Sequence, residues 1–238
     1  MNFDVVLHAL SSGKLHFLGE LLRGSNSSFL VSIDASNTAP MMAVYKPAAG
    51  ENPLWDFPPY TLAHREVAAF LVSQALGWEL VPPTVYRLDA PLGEGSLQLF
   101  IPHDPQRHYF NLTETEKAIL PQVVLFDLLI NNADRKGGHF LIDENNHLWL
   151  IDHGICFHKE WKLRTVVWEL SGQPIPISLR KAIGSLLPML SEDLGEQLSL
   201  HLSAEELQSL AQRAKWLRRL RRFPFPPKHT IFYPFPLI

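Results

Sequence analysis

The stretch that decides the fold is NNADRKGGHFLIDENNHLWLIDHG, residues 131–154. Two short apolar runs in it, FLID at 140–143 and HLWLID at 147–152, flank turn-forming residues and predict a β-hairpin. Asp134 lies in the irregular, glycine-containing loop before this hairpin, and Asp152 ends its second strand. The hairpin should therefore bring both carboxylates to the same end of one structural unit.

Upstream of this stretch the pattern indicates short strands and one long helix. Alternating apolar residues favour strands, and apolar residues at helical spacing followed by a glycine favour the helix. The predicted elements are a short helix ending near Gly13, strands at 15–22, 28–34, 41–47, 84–88 and 96–101, a loop at 48–60 and a helix at 62–76.

Downstream of Pro102 the composition becomes helical. A capping box at 113–116 predicts a helix toward Asn131, which Pro121 should kink or restart. Helices return from about Leu179, and the last should begin at the capping box 203–206 and continue to Arg222.

This order of elements predicts an α+β chain with two unlike lobes. We place a β-rich N-terminal lobe at residues 1–101 and a mainly helical C-terminal lobe at 102–238, whose proline-rich tail should lie extended along it. A cleft between two such lobes is where a ligand binds.

The two acids in the opening stretch suggest a cation site. Asp134 and Asp152, held together without obvious lysine partners, would repel each other, and a divalent cation would relieve that repulsion. The alternative is that both carboxylates only cap turns.

A lysine in the first lobe is a candidate partner for this site. Lys46 ends an apolar strand, where its ammonium would face the cleft, and Glu66 on the following helix would hold it by an ion pair. The alternative is a solvated lysine at a strand end, because exposed pairs of this kind contribute only about 0–1 kcal/mol.

These residues resemble a known family. Phosphoryl transfer needs a cation on the nucleotide phosphates, carboxylates for Mg²⁺ and an acid that orients the acceptor hydroxyl. NNADRKGGH followed by LIDHG resembles the catalytic and metal-binding segments of the phosphatidylinositol 3-/4-kinase-like group, in particular a bacterial branch with DRKGGH and IDHG motifs. Further matching blocks cover most of residues 15–172; they are GSNSSFLV, VYKP, ENPLWDFP, REVAAFLVSQALGW, VPPTV and LRTVVWELSG.

The resemblance implies a protein-kinase-like fold that binds ATP and Mg²⁺ or Mn²⁺, with a role for each matching residue. Lys46 would bind the nucleotide phosphates and Glu66 would orient it. The phosphate-covering turn would comprise Ser25, Asn26 and Ser27, and the adenine pocket would comprise Gln98, Leu99, Phe100 and Ile101. Asp134 would be the catalytic acid with Arg135 beside it, and Asp152 would be the main metal ligand.

Two residues depart from the wider family's pattern. His139 occupies the second metal position, where the family has asparagine, and His153 replaces the phenylalanine of the D-F-G motif. A neutral imidazole can bind a metal, but it prefers softer ions than Mg²⁺.

Three functions follow from these residues. The first is an ATP-dependent kinase whose acceptor is a protein, a small molecule or a lipid headgroup. The second is a nucleotide-binding pseudokinase or scaffolding module. The third is a metal-dependent hydrolase with a centre at His139, Asp152, His153 and His158.

Composition indicates the cellular compartment and the classes of partner. The formal net charge of −3 over 238 residues gives no general signal for nucleic-acid binding. The single cysteine, Cys156, suits a reducing compartment, and the sequence shows neither a basic leader nor an apolar run that would span a membrane. We therefore predict a cytoplasmic protein.

Overall fold

An antiparallel sheet forms the first part of the chain. The computed structural model describes residues 2–21, 26–35 and 40–238. Within them the sheet has the strand order β1-β2-β3-β5-β4, with each neighbouring pair antiparallel. The strands are β1 (Lys14–Glu20), β2 (Phe29–Asp34), β3 (Met41–Pro47), β4 (Thr84–Arg87) and β5 (Gly95–Leu99).

This sheet encloses a small core of its own. Along β3 the side chains of Ala43 and Tyr45 are buried, as strand alternation requires, and Leu97 of β5 joins them. Helix α1 (Phe3–Ser12) covers this face with Val6 and Leu10.

Helices dominate the rest of the chain. They are α2 (Leu62–Ala75), α3 (Leu120–Ile130), α4 (Ile177–Met189), α5 (Asp193–Ser199) and α6 (Ala204–Arg219). Pro121 stands at the start of α3, where it restarts the helix as predicted, because proline fits the first turn. The predicted capping box of α6 forms between Ser203 and Glu206, but the helix ends at Arg219, three residues before the predicted end at Arg222.

The predicted hairpin is present within the helical part. Strands β6 (Phe140–Ile142) and β7 (Leu148–Leu150) pair antiparallel. Phe140, Ile142, Leu148 and Leu150 of the hairpin join a large core built from α2 to α6. Residues 223–238 form no helix or strand, in agreement with the sequence. The predicted α+β class is thus confirmed.

Helix α2 contributes to the larger of the two cores. Ala68, Phe70 and Val72 pack in the same cluster as the side chains of α3. The division of the chain at residues 101 and 102 therefore stays a prediction. In the part of the chain that the structure describes, we find no helix long and apolar enough to cross a membrane.

Candidate active site

Lys46 connects three parts of the chain. It is the last but one residue of β3, and its ammonium forms ion pairs with Glu66 of α2 and, at 2.6 Å, with Oδ1 of Asp152. Burial opposes the charge on the amine, but the two carboxylates outweigh it and raise the pKa of Lys46. Lys46 is therefore charged and joins the sheet, α2 and the end of β7.

Glu66 uses both carboxylate oxygens. Oε1 accepts from Lys46, and Oε2 accepts the backbone N–H of His153 at 3.0 Å. The side chain is only 4% exposed, so both bonds form away from bulk water, where such bonds are strong. Glu66 thus fixes the position of Lys46 relative to the segment that follows Asp152.

Asp152 lies two residues after β7. Its φ of 64° is left-handed, a conformation that aspartate tolerates better than most residues. Its side chain is 53% exposed, and the charge of Lys46 holds the pKa of its carboxyl well below the usual range. Asp152 is an ionised carboxylate open to a ligand.

Asp134 occupies the loop after α3. Its backbone N–H donates to Oδ1 of Asn132 at 2.9 Å, and its Oδ2 pairs with Lys136 at 2.8 Å. Burial raises the pKa of Asp134, Lys136 opposes the rise, and the nearby charge of Asp152 adds to it. A raised pKa makes this carboxylate a better proton acceptor.

One expectation about these acids is wrong. Both were expected to lack lysine partners, but Lys46 pairs with Asp152 and Lys136 pairs with Asp134. The partner of Asp152 comes from a strand 106 residues earlier, which spacing alone does not reveal. The two ammonium groups relieve the repulsion that was assigned to a divalent cation.

His139 contacts the same carboxylate as Lys46. Its Nε2 lies 3.3 Å from Oδ2 of Asp152, and its Nδ1 accepts the backbone N–H of Lys136 at 3.4 Å. Burial lowers the pKa of His139 to about 3, against the effect of Asp152, so the ring is neutral and carries its proton on Nε2. As it stands, the protonated Nε2 of His139 lies beside the Asp152 carboxylate. Metal binding through Nε2 requires the other tautomer and stays a prediction.

Arg135 is fully buried behind the site. Its guanidinium pairs with Asp127 of α3 at 3.1 Å, donates to the carbonyl of Ile151 at 2.9 Å and donates to Nε2 of His153 at 2.7 Å. Burial and the adjacent Arg135 lower the pKa of His153, which is neutral. Arg135 therefore braces the loop of Asp134 against the segment of Asp152 and does not face the cleft.

Two of the four residues expected around adenine belong to a small apolar cluster. Ile101 packs with Leu141 and Trp149 of the hairpin, and Leu99 and Ile151 border this apolar cluster. Gln98 and Phe100, the other two expected members, form hydrogen bonds to strands of the sheet. Gln98 is buried and donates to Oγ1 of Thr84 at 2.9 Å, and the N–H of Phe100 donates to the carbonyl of Met42 at 2.9 Å.

The turn expected to cover phosphates is described in part. Ser25 lies outside the described residues. The backbone N–H of Ser27 donates to the carbonyl of Gly50 at 3.0 Å, and Oδ1 of Asn26 accepts the N–H of Asn52 at 2.7 Å. This turn is therefore attached to the loop that follows β3 and Lys46.

The four residues of the hydrolase alternative do not assemble. His158 bonds to the carbonyl of Asp56 at 3.0 Å, and His153 faces Arg135 instead of the cleft. Across residues 2–21, 26–35 and 40–238 no three His, Cys, Asp or Glu side chains are grouped to hold a metal by themselves. Magnesium does not need such a cage, because one or two carboxylates with nucleotide phosphates and water suffice. The open, ionised carboxylate of Asp152 fits that requirement.

Sequence reasoning missed the residues that brace the site. Asp127 stands in the apolar run VVLFDLLI, and a buried carboxylate there must have a cationic partner. That signal pointed to a buried pair but not to Arg135. A second buried pair, Arg65 with Glu206 at 2.6 Å, joins α2 to α6, and Arg65 also donates to the carbonyl of Cys156 at 2.7 Å.

Comparison with protein families supports the sequence resemblance. The family model described as phosphatidylinositol 3- and 4-kinase matches residues 61–210. Protein Rv2133c of Mycobacterium tuberculosis is 37% identical over 255 residues, which cover 92% of this chain and 91% of that protein. Phosphatidylinositol 4-kinase gamma 4 of Oryza sativa subsp. japonica is 30% identical over 150 residues, which cover 52% of this chain and 26% of that protein.

Solved structures share the fold at low sequence identity. The Golgi casein kinase matches with a TM-score of 0.58 at 18% identity, covering 91% of this chain and 73% of that one. A second structure of that kinase, with Mn/ADP bound, matches with a TM-score of 0.58 at 16% identity and covers 91% and 74%. Hydra Fam20 with sugar matches with a TM-score of 0.57 at 18% identity and covers 91% and 87%. The two-lobed fold predicted from the sequence is the fold of these proteins.

Proposed function

Because this chain belongs to the phosphatidylinositol 3- and 4-kinase family, we propose that it is a phosphotransferase that uses ATP and Mg²⁺ or Mn²⁺. The observation that carries the proposal is the position of Lys46 between Glu66 and Asp152. A charged lysine fixed by a helix glutamate, beside an open carboxylate, is the arrangement that kinases use on nucleotide phosphates.

Lys46 binds the phosphates in this proposal. Glu66 remains its partner when Asp152 turns to another ligand, so the ammonium stays charged and in place. The turn at Ser25, Asn26 and Ser27 covers the phosphates, and the apolar wall at Leu99 and Ile101 receives the adenine ring.

Asp134 orients the acceptor hydroxyl and accepts its proton. The burial that raises its pKa supports this role, and Lys136 keeps the carboxylate ionised until the proton arrives. Arg135 acts as a positioning residue, because its buried guanidinium links the loop of Asp134 to Ile151, next to Asp152.

Asp152 would hold the metal, with His139 as its second protein ligand in the other tautomer. When bound, the metal offsets the negative charge of the phosphates. The Golgi casein kinase with Mn/ADP bound supports the choice of cofactors for this fold. The acceptor is a protein, a small molecule or a lipid headgroup.

The test compares label transfer from γ-labelled ATP, with Mg²⁺ or Mn²⁺, by the wild type and by variants. Asp134→Ala and Asp152→Ala should each abolish transfer, while Asp193→Ala, an exposed aspartate of α5, should leave it unchanged. Nucleotide binding, measured separately, should survive Asp134→Ala and weaken on Lys46→Ala. A wild type that neither binds ATP nor releases phosphate with any metal would contradict the proposal.

A nucleotide-binding pseudokinase is the second candidate. The observation in its favour is that the protonated Nε2 of His139 lies 3.3 Å from Oδ2 of Asp152, where the family resemblance expects an asparagine metal ligand nearby. His139→Asn separates the candidates, because a gain in transfer indicates an impaired metal site, whereas binding without transfer in both proteins indicates a pseudokinase.

Two further proposals concern the position of the nucleotide cleft and the cellular location. The nucleotide cleft lies between residues 1–101 and 102–238, and the protein is cytoplasmic. Its one cysteine, Cys156, is buried, and burial raises the pKa of the thiol, so the thiol is unreactive. Fractionation of cells that express the full chain tests the location.

A further inference from the structure

The segment after α6 returns to the loop that carries Asp134. The backbone N–H of Gly137 donates to the carbonyl of Leu237 at 2.7 Å, and that of Thr165 donates to the carbonyl of Phe232 at 3.1 Å. The indole Nε1 of Trp168 also donates to the Phe232 carbonyl, at 3.3 Å. We call residues 232–238 the covering segment and Gly137, Thr165 and Trp168 the donor surface.

The donor surface is continuous with the catalytic loop. Arg135 and Thr165 form a parallel bridge, in which the N–H of Arg135 donates to the carbonyl of Arg164 at 2.9 Å and the N–H of Val166 donates to the carbonyl of Arg135 at 3.1 Å. Asp134 directly precedes this bridge, and Gly137 follows three residues later. The covering segment therefore bonds to the loop three residues beyond Asp134.

The contacts of the covering segment are mainly through its backbone. Phe235 and Ile238 are 94% and 61% exposed, so their apolar side chains gain little from this position. Phe232 and Pro234 are the exceptions, because the ring of Phe232 meets Trp168 edge to face with centroids 6.0 Å apart and Pro234 is buried. The donor surface therefore binds two main-chain carbonyls, those of Phe232 and Leu237, together with the ring of Phe232.

Glycine at position 137 permits this close approach. A Cβ at Gly137 would lie 2.6 Å from Cε2 of Phe110 and 3.3 Å from the Leu237 carbonyl oxygen. A Cβ at Gly138 would meet Ile238 at an ordinary 3.6 Å. Glycine at position 137 thus leaves room for the ring of Phe110 and, at a longer distance, for the Leu237 carbonyl.

From this geometry we infer that the donor surface is the acceptor site, that the acceptor is a polypeptide, and that the covering segment fills the site as an internal occupant. The inference rests on the proposed function and names its acceptor class. Two main-chain carbonyls with an aromatic side chain beside one of them are features of a polypeptide, and a lipid headgroup does not offer them. An incoming polypeptide must displace residues 232–238 before its hydroxyl reaches Asp134.

The first test weakens the covering segment without touching the catalytic residues. Phe232→Ala removes the ring that meets Trp168, and Phe235→Ala is the matched control because that ring is exposed. Hydrogen–deuterium exchange at the amides of Gly137 and Thr165 should become at least tenfold faster in Phe232→Ala and stay unchanged in Phe235→Ala. Trp168→Phe, which loses only the indole donor, provides a second variant should Phe232→Ala fold poorly.

The same measurement tests recognition in trans. A synthetic peptide of residues 229–238, added to the Phe232→Ala variant, should restore protection of the two amides. This readout needs neither ATP nor transfer, so it separates failure of this inference from failure of the proposed function. Unchanged exchange in both weakened variants, or no protection by the peptide, overturns the inference.

The final arm identifies the acceptor. Phe232→Ala should transfer more label than the wild type to serine- and threonine-containing decapeptides, while Phe235→Ala should match the wild type. Vesicles of phosphatidylinositol are the competing acceptor. A gain confined to the vesicles overturns the assignment of a polypeptide acceptor.

Discussion

Replacing Glu66 with glutamine tests the arrangement on which the proposed function depends. The side chain keeps its size, and its remaining oxygen can still accept the N–H of His153, which lies 3.0 Å from Oε2 in the native chain. The new amide, however, places N–H donors or a neutral oxygen against the ammonium of Lys46. The change therefore removes one charge-assisted bond and leaves the packing intact.

The expected cost follows from the partners that remain. Hydrogen bonds to charged groups contribute about 1.5–3 kcal/mol each. Lys46 keeps Asp152 at 2.6 Å, so its charge is not left alone, and the loss falls short of that for a fully orphaned buried charge. We expect the free energy of unfolding to fall by about 2 kcal/mol, which lowers the Tm by about 4–8 °C for a chain of this length.

Thermal unfolding and ATP binding are the two assays. Glu66→Gln should lower the Tm and weaken ATP binding, because Lys46 loses the partner that orients it. Glu144→Gln, in the exposed turn between β6 and β7, is the control and should change neither quantity. A Glu66→Gln variant with wild-type Tm and wild-type ATP affinity would refute the reasoning.

Three further predictions follow from the buried groups. Glu206→Gln should lower the free energy of unfolding by about 3–5 kcal/mol in chemical denaturation, because it leaves the buried charge of Arg65 without its carboxylate partner, with only neutral acceptors such as the Cys156 carbonyl. Glu205→Gln, whose pair with Lys159 is exposed, should leave the free energy of unfolding nearly unchanged; equal losses would contradict this. His139 and His153 are neutral when folded, with the pKa of His139 at about 3, but are protonated below about pH 6.5 when unfolded. The unfolded chain then binds more protons, so the free energy of unfolding should fall as the pH drops from about 6 to about 4. His139→Asn should reduce the slope of that free energy against pH by about 1.4 kcal/mol per pH unit, and an unchanged slope would contradict the prediction. Gly137→Ala should lower the free energy of unfolding by about 1–3 kcal/mol, because the added Cβ would meet Phe110. Gly138→Ala, the control, should have the wild-type Tm in thermal unfolding. The reverse order would show that the close approach at Gly137 is not a constraint.

Local patterns predicted the elements well because local forces determine them. Strand β3 was expected at 41–47 and occupies Met41–Pro47, since alternation and the turn residues around it agree. Pro121 and the capping box at Ser203 act within one helical turn, so their effects were visible in the sequence. The end of α6 was misplaced because Leu220 leaves the helix to let residues 221–223 pair with residues 173–175, a tertiary effect.

The site was predictable only in part, for the same reason. The resemblance placed Lys46, Glu66, Asp134 and Asp152, and the structure brings the first two and Asp152 into direct contact. It gave no sign that Glu66 binds the backbone of His153, 87 residues away, with its second oxygen. Nor did it indicate that Lys46 would form an ion pair with Asp152, since the partners of a carboxylate depend on chain topology rather than on the residues next to it in the sequence.

The buried ion pair between Arg65 and Glu206 limits which inhibitors could bind next to α2. Arg65 adjoins Glu66 on α2, and its buried pair with Glu206 anchors that helix to α6. A compound that must push α2 outward has to break this pair, which costs about 3–5 kcal/mol, a loss of roughly two to more than three orders of magnitude in affinity. A compound that rests on the apolar wall of Leu99, Ile101 and Ile151 leaves the pair intact. Ligands of this protein should therefore bind with α2 in the position that the structure shows.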